Sequence, residues 1–268
     1  MAPVDELSLA LAGLRTVIAT HDPDVAGIVR DRYKGFLSPG APDWRIEIDG
    51  RPAGHRPSAD DVVVAREGDS ARFRITRGDF AGVVDLDHRR GTVTFTNLDE
   101  FSIDSFVRVF YSLALLQPQG LIAHAASLIR GRHAYLFCGR SGSGKTTLAR
   151  LSPEATLLSD ELSIVRVGGE PARCYGTPFW GELARAGEDR VAPLRGIYFL
   201  RHGRQHAVEA VTPRQALERL LPTVVYFARD PDLTARVLGI AAGLVEAVPC
   251  FDLAFRRDAG FWEVIDRA

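Results

Sequence analysis

Eight consecutive residues, Gly139-Arg140-Ser141-Gly142-Ser143-Gly144-Lys145-Thr146, match the pattern G-x-x-x-x-G-K-[ST] in full. Each residue type at that spacing has a chemical reason. The glycines let backbone N–H groups converge on phosphate oxygens, and a helix start directly after them adds partial positive charge. Lys145 is long enough to reach the outer phosphates of a nucleoside triphosphate, and Thr146 offers a hydroxyl to Mg²⁺. The candidate nucleotide-binding set is therefore Gly139, Arg140, Ser141, Gly142, Ser143, Gly144, Lys145 and Thr146, with Thr147 beside them. The ligands expected are ATP, with GTP left open, and Mg²⁺.

Phosphoryl chemistry also needs a carboxylate to hold the metal or orient the nucleophile. Thr156-Leu157-Leu158-Ser159-Asp160-Glu161 supplies an apolar strand pattern that ends in two acids. Such a strand carries both carboxylates to the phosphate end of a sheet, and general reasoning for strand-end acids puts Asp160 on the metal. Asp160 follows Lys145 after an unusually short interval. The competing reading is a solvated acidic turn. His124 stands in the apolar segment before the loop, where it either meets phosphate or base, or is a satisfied structural histidine. Arg140, Arg195 and Arg201 are candidates to neutralise transition-state charge, against the reading that they are surface residues. The stretch from Tyr175 to Glu182 is too rich in Gly, Pro and aromatics for a regular element. Phe179 and Trp180 there face a substrate or plug the core.

The elements that must position these groups form two textures. Up to residue 118 the chain reads as a small α+β domain for recognition or oligomerisation. An extended segment at Leu7 to Ile18 is followed by a helix start at His21-Asp22-Pro23-Asp24 that runs on through Phe36. Short period-two segments at Trp44 to Ile48, Val62 to Ala65, Ala71 to Thr76, Phe80 to Asp85 and Thr92 to Thr96 suggest an antiparallel sheet. A helix over Ser102 to Leu116 closes the domain at Pro118 and Gly120.

From 119 to 268 strands alternate with helices around the glycine loop, which implies an α/β nucleotide-binding core. Strands are expected at Leu121 to Ile129, Ala134 to Gly139, Ala155 to Ser159, Leu162 to Val167, Gly196 to Leu200 and Cys250 to Phe255. Thr212-Pro213-Arg214-Gln215 reads as a capping-box start for a helix ending near Leu221. Asp230-Pro231 opens another through Val248, and a short terminal helix is expected around Trp262 to Ile265.

Composition bounds the rest. The 268 residues are 46% hydrophobic and 25% charged, enough for a core without disulfides or metals. No apolar run approaches the roughly 18 residues of a membrane span, and the opening Met1-Ala-Pro-Val-Asp-Glu lacks the pattern of a secretory signal, so a cytoplasmic protein is expected. Three cysteines, Cys138, Cys174 and Cys250, are expected to be reduced packing residues. A formal net charge of -1 without a basic block argues against nucleic acid or an anionic membrane as partner.

Taken together, His124-Ala125-Ala126, the loop from Gly139 to Thr147, and Leu158-Ser159-Asp160-Glu161-Leu162 resemble the core of HPr kinase/phosphorylase and its short bacterial relatives. The same P-loop architecture is shared with phosphoenolpyruvate carboxykinase. The likeness spans roughly Leu121 to Arg201. It departs at Thr147, where the family carries an acid, and at Leu194-Arg195-Gly196-Ile197, which represents the family's second signature only in part. The resemblance implies phosphoryl transfer from ATP to a hydroxyl, on a serine of a peptide or protein or on a small alcohol. Carried over, Asp160 accepts the proton of the attacking hydroxyl, while Glu161 holds Mg²⁺ with Thr146; the division between the two acids stays open. The catalytic set is then Asp160, Lys145 and His124, and the metal set Thr146, Glu161 and Asp160. The competing functions are an NTP-hydrolysing switch, a carboxykinase-like enzyme and a non-catalytic nucleotide-binding module. Homo-oligomerisation is open.

Overall fold

A computed structural model gives the fold and describes residues 4–50, 61–169 and 171–268. Met1 to Pro3, which begin the acidic opening, lie outside the described residues. The protein is mixed α/β, with two multistranded sheets and few helices. The chain divides into two compact units, Met1–Leu115 with Tyr226–Thr234, and Leu116–Val225 with Ala235–Ala268. No helix among the described residues is long and apolar enough to cross a membrane.

In the first unit, β1 (Asp5–Leu11) and β2 (Leu14–Thr20) form a hairpin turned at Ala12 and Gly13, both with positive φ. Helix α1 (Pro23–Arg32) starts where the Asp22 carboxylate accepts the N–H groups of Asp24 and Val25. It stops four residues before Phe36, because Tyr33 leaves the helical region and a 3-10 turn (Lys34–Phe36) follows. The Tyr33 hydroxyl donates to buried Asp104 at 3.1 Å.

Strands β3 (Trp44–Gly50), β4 (Val63–Arg66), β5 (Arg72–Arg77), β6 (Phe80–Asp85) and β7 (Arg90–Phe95) precede α2 (Glu100–Ala114), and the sheet runs β1-β2-β3-β7-β6-β5-β4. β4 to β7 are the antiparallel meander that their alternation suggests. The expectation of an antiparallel sheet is nonetheless corrected: β3 pairs in parallel with both β2 and β7, so the sheet is mixed. The cause is the β2–β3 connection, which contains α1 and is long enough for a parallel crossover. α2 buries Phe106 and Phe110 on the sheet, with Phe110 edge-on to Trp44 at 5.2 Å and Phe106 edge-on to Phe80 at 5.8 Å. Each such ring contributes about 1.5–3 kcal/mol by leaving water.

The second unit contains β8 (Gly120–Arg130), β9 (His133–Cys138), α3 (Lys145–Arg150), β10 (Thr156–Ser159), β11 (Leu162–Arg166), β12 (Arg173–Tyr175) and β13 (Val191–His202). β14 (Ala207–Ala210), α4 (Pro213–Leu220), β15 (Cys250–Phe255) and α6 (Phe261–Asp266) follow, and α5 (Pro231–Ala247) starts in the first unit and belongs to the second from Ala235. The sheet runs β10-β8-β11-β12-β13-β15-β14, with β9 pairing both β8 and β13. β13 pairs in parallel with both β9 and β15, and α3 and α6 bury Leu148, Phe261 and Trp262 against Phe137, Leu253 and Phe255. All three cysteines are buried and free, and burial pushes the Cys138 and Cys174 thiols up to about 12.

Candidate functional site

One rung of the second sheet assembles the site. The Ala125 N–H donates to Glu161 O at 2.9 Å, Ala125 is paired with Cys138, Cys138 with Phe199, and Phe199 with Asp252. The loop after β9, the acids between β10 and β11, the end of β13 and the middle of β15 therefore come to one level. In parallel segments of α/β sheets this strand end is where ligands are met.

β10 and β11 both run antiparallel to β8, with a register shift between Leu157 and Ser159. Asp160 and Glu161 follow that shift, in the bend between β10 and β11. His124 on β8 is paired with Leu162 and exposed. His124, the loop residues 139–143, Lys145, Thr146, Asp160 and Glu161 line a single cleft of about 940 Å³. Gly144 and Thr147 do not line it. Gly144 instead has φ 99°, and a Cβ there would stand 2.6 Å from the Phe255 ring. This position of the loop needs glycine both for its backbone angle and for its close approach.

The Lys145 ammonium donates to the carbonyls of Gly139 at 2.9 Å and Arg140 at 3.1 Å, so its side chain folds across the loop. Burial lowers its pKa from the ordinary lysine value, opposed by the nearby carboxylates, Glu161 first. The loop is closed by Ser143 N–H to Arg140 O at 3.0 Å and by His202 Nε2 to Gly142 O at 2.9 Å. Ser143 Oγ is buried and has no hydrogen-bond partner among the described residues. An orphaned hydroxyl in a glycine loop beside a lysine fits a ligand rich in acceptor oxygens, as a polyphosphate is. The Thr146 hydroxyl and the Glu161 carboxylate are oxygen donors of the kind Mg²⁺ takes, alongside phosphate oxygens.

Asp160 is 2% exposed, and its carboxylate accepts the N–H groups of Gly181 at 3.0 Å and Leu183 at 2.9 Å. Of the aromatic pair in the adjoining stretch, Phe179 is fully buried and is a core residue, while Trp180 is half-buried. Of the arginine candidates, Arg140 and Arg201 line the cleft. Arg195 does not: it follows Leu194, which pairs with Ala134 at the start of β9, the far end from the loop.

Glu218 and Arg219 carry no sequence signal, while Glu182 closes the irregular stretch from Tyr175. Glu182 arrives on the loop that Asp160 holds, and Glu218 and Arg219 arrive on α4. Arg219 is ion-paired with Asp252 and lies over the Phe199 ring at 5.9 Å. Only the pairing of β13 with β15 brings its two supports together, although the capping box at Thr212 did locate its helix. A comparison with known protein families finds no family that matches the chain, and a comparison with curated proteins finds no match.

Proposed function

We propose that this chain is an ATP- and Mg²⁺-dependent phosphotransferase of the HPr kinase-like kind, with a P-loop core in its second unit. Its acceptor is a hydroxyl, on a serine of a peptide or protein or on a small alcohol. The observation that supports this most is the sharing of one cleft by Lys145, Thr146, Asp160 and Glu161, aligned by a single rung of the sheet. Bound Mg²⁺-nucleotide supplies the transferable phosphoryl group and a cation that spreads its charge.

The chain's own residues do the rest by position and charge. Lys145 exchanges the carbonyls of Gly139 and Arg140 for phosphate oxygens, keeping its ammonium hydrogen-bonded in both states. Ser143 Oγ gains the partner it lacks. Thr146 and Glu161 hold the metal. Asp160 and the groups around it serve the acceptor side, and His124 faces the same cleft.

The test is transfer of γ-labelled phosphate from ATP to candidate peptides and alcohols, run beside Lys145→Ala. The expected result is an acceptor-dependent reaction that falls by about a hundredfold or more in the variant. Undiminished transfer in Lys145→Ala removes the assignment. Steady phosphate release with no acceptor effect identifies a hydrolase instead.

A further inference from the structure

The residue between the two amides that Asp160 holds is Glu182, which is exposed and lines the cleft. The segment is braced on its other side as well. The Thr177 hydroxyl donates to Leu162 O at 2.7 Å, its N–H to Leu158 O at 2.9 Å, and Phe179 is fully buried. Gly181 packs on the second acid so closely that a Cβ there would stand 2.7 Å from Glu161 Oε2. Backbone on both sides of Glu182 is thus pinned to the acidic turn, while its side chain is exposed.

Resting on the phosphotransferase reading, we propose that Asp160 is a positioning residue and that Glu182, set at the cleft by Asp160, is the carboxylate that takes the proton of the acceptor hydroxyl. Asp160 is buried with each oxygen turned to a backbone amide, so an acceptor entering from solvent meets Glu182 first. In the step itself the acceptor oxygen bonds to the γ-phosphorus as the bond from that phosphorus to its bridging oxygen breaks. The electron pair leaves with the nucleoside diphosphate, and the acceptor's proton passes to the Glu182 carboxylate. An asparagine at 160 presents an NH₂ group to one of the two amide donors and loses half of the hold.

The experiment uses the full chain with MgATP and water as the acceptor, in wild type, Glu182→Gln, Asp160→Asn and the double variant. Glu182→Gln is expected to keep MgATP affinity within about threefold and to lower basal hydrolysis about a hundredfold. Asp160→Asn is expected to lower turnover similarly and to speed amide exchange at 181 and 183 about tenfold. Because Asp160 acts through Glu182, the double variant should lose no more than Glu182→Gln alone. Losses that multiply, or unchanged turnover in Glu182→Gln, overturn the proposal. Should Asp160→Asn not fold, Gly181→Ala displaces the same turn from Glu161 and is expected to give the same loss of turnover; full activity there also overturns it. A wild type that binds no MgATP ends the phosphotransferase reading itself, an outcome distinct from a variant that binds and turns over normally.

Discussion

Gly144 and Gly142 have φ of 99° and 79°, yet their surroundings differ. A Cβ at 144 meets the Phe255 ring at 2.6 Å, whereas nothing lies within 4 Å of one at 142. Gly142→Ala therefore carries backbone strain alone, about 1 kcal/mol, while Gly144→Ala adds a steric conflict with a buried ring and is expected to cost about 3 kcal/mol. Urea unfolding of the two variants measures the difference, and equal losses would show that the ring yields freely. The need for these glycines was legible because the motif is local: eight adjacent residues carry its whole chemistry. The role of Glu182 within its irregular stretch and the place of Arg219 were not, since Asp160 holds the amides on either side of Glu182 and Asp252 pairs Arg219, both from far away in sequence.

Local signals also served well at the level of elements where an element's end is fixed by its own residues. In α4, Thr212 Oγ1 accepts the Gln215 N–H at 3.4 Å and Gln215 Oε1 accepts the Thr212 N–H at 3.0 Å, a reciprocal cap that the sequence announces. Thr212→Ala is expected to destabilise the protein by about 1 kcal/mol, read as a lowered thermal midpoint, with Thr212→Ser restoring most of it. Strands held by neighbours were harder to see. β12 and β14 have only three and four residues and owe their existence to pairing with β11, β13 and β15. β13 reads as Gly196 to Leu200 in sequence, yet spans Val191–His202. Pro193 discourages a strand assignment, but it sits in the first part, which pairs β12, and the pairing with β9 starts only at Leu194 and shifts register before Gly196. The parallel placement of β3 was missed for the same reason, because direction is set by partners and connections rather than by alternation.

For the molecule as a whole, a division of the chain at 118 does not contain the return of Tyr226–Thr234 to the first unit. That return is fastened within the first unit by Arg66 of β4, whose guanidinium donates to both oxygens of Asp230, at 2.6 and 2.8 Å, beside a bridge between Val64 and Ala228. Hydrogen bonds from Arg66 and the Leu233 N–H hold the Asp230 carboxyl down at about 2. A carboxylate favoured in the folded state gives stability that is present above its unfolded value near 4 and is lost as pH falls through its folded value. The group is therefore expected to contribute about 2 kcal/mol at neutral pH and to surrender it between about pH 4 and pH 2. Asp230→Asn should be less stable at pH 7 by about that amount and should lose less than wild type over the acid window. Urea unfolding at pH 7, 4 and 2.5 checks both. If wild type and variant instead declined in parallel below pH 4, the Arg66–Asp230 pair would not be what fastens residues 226–234.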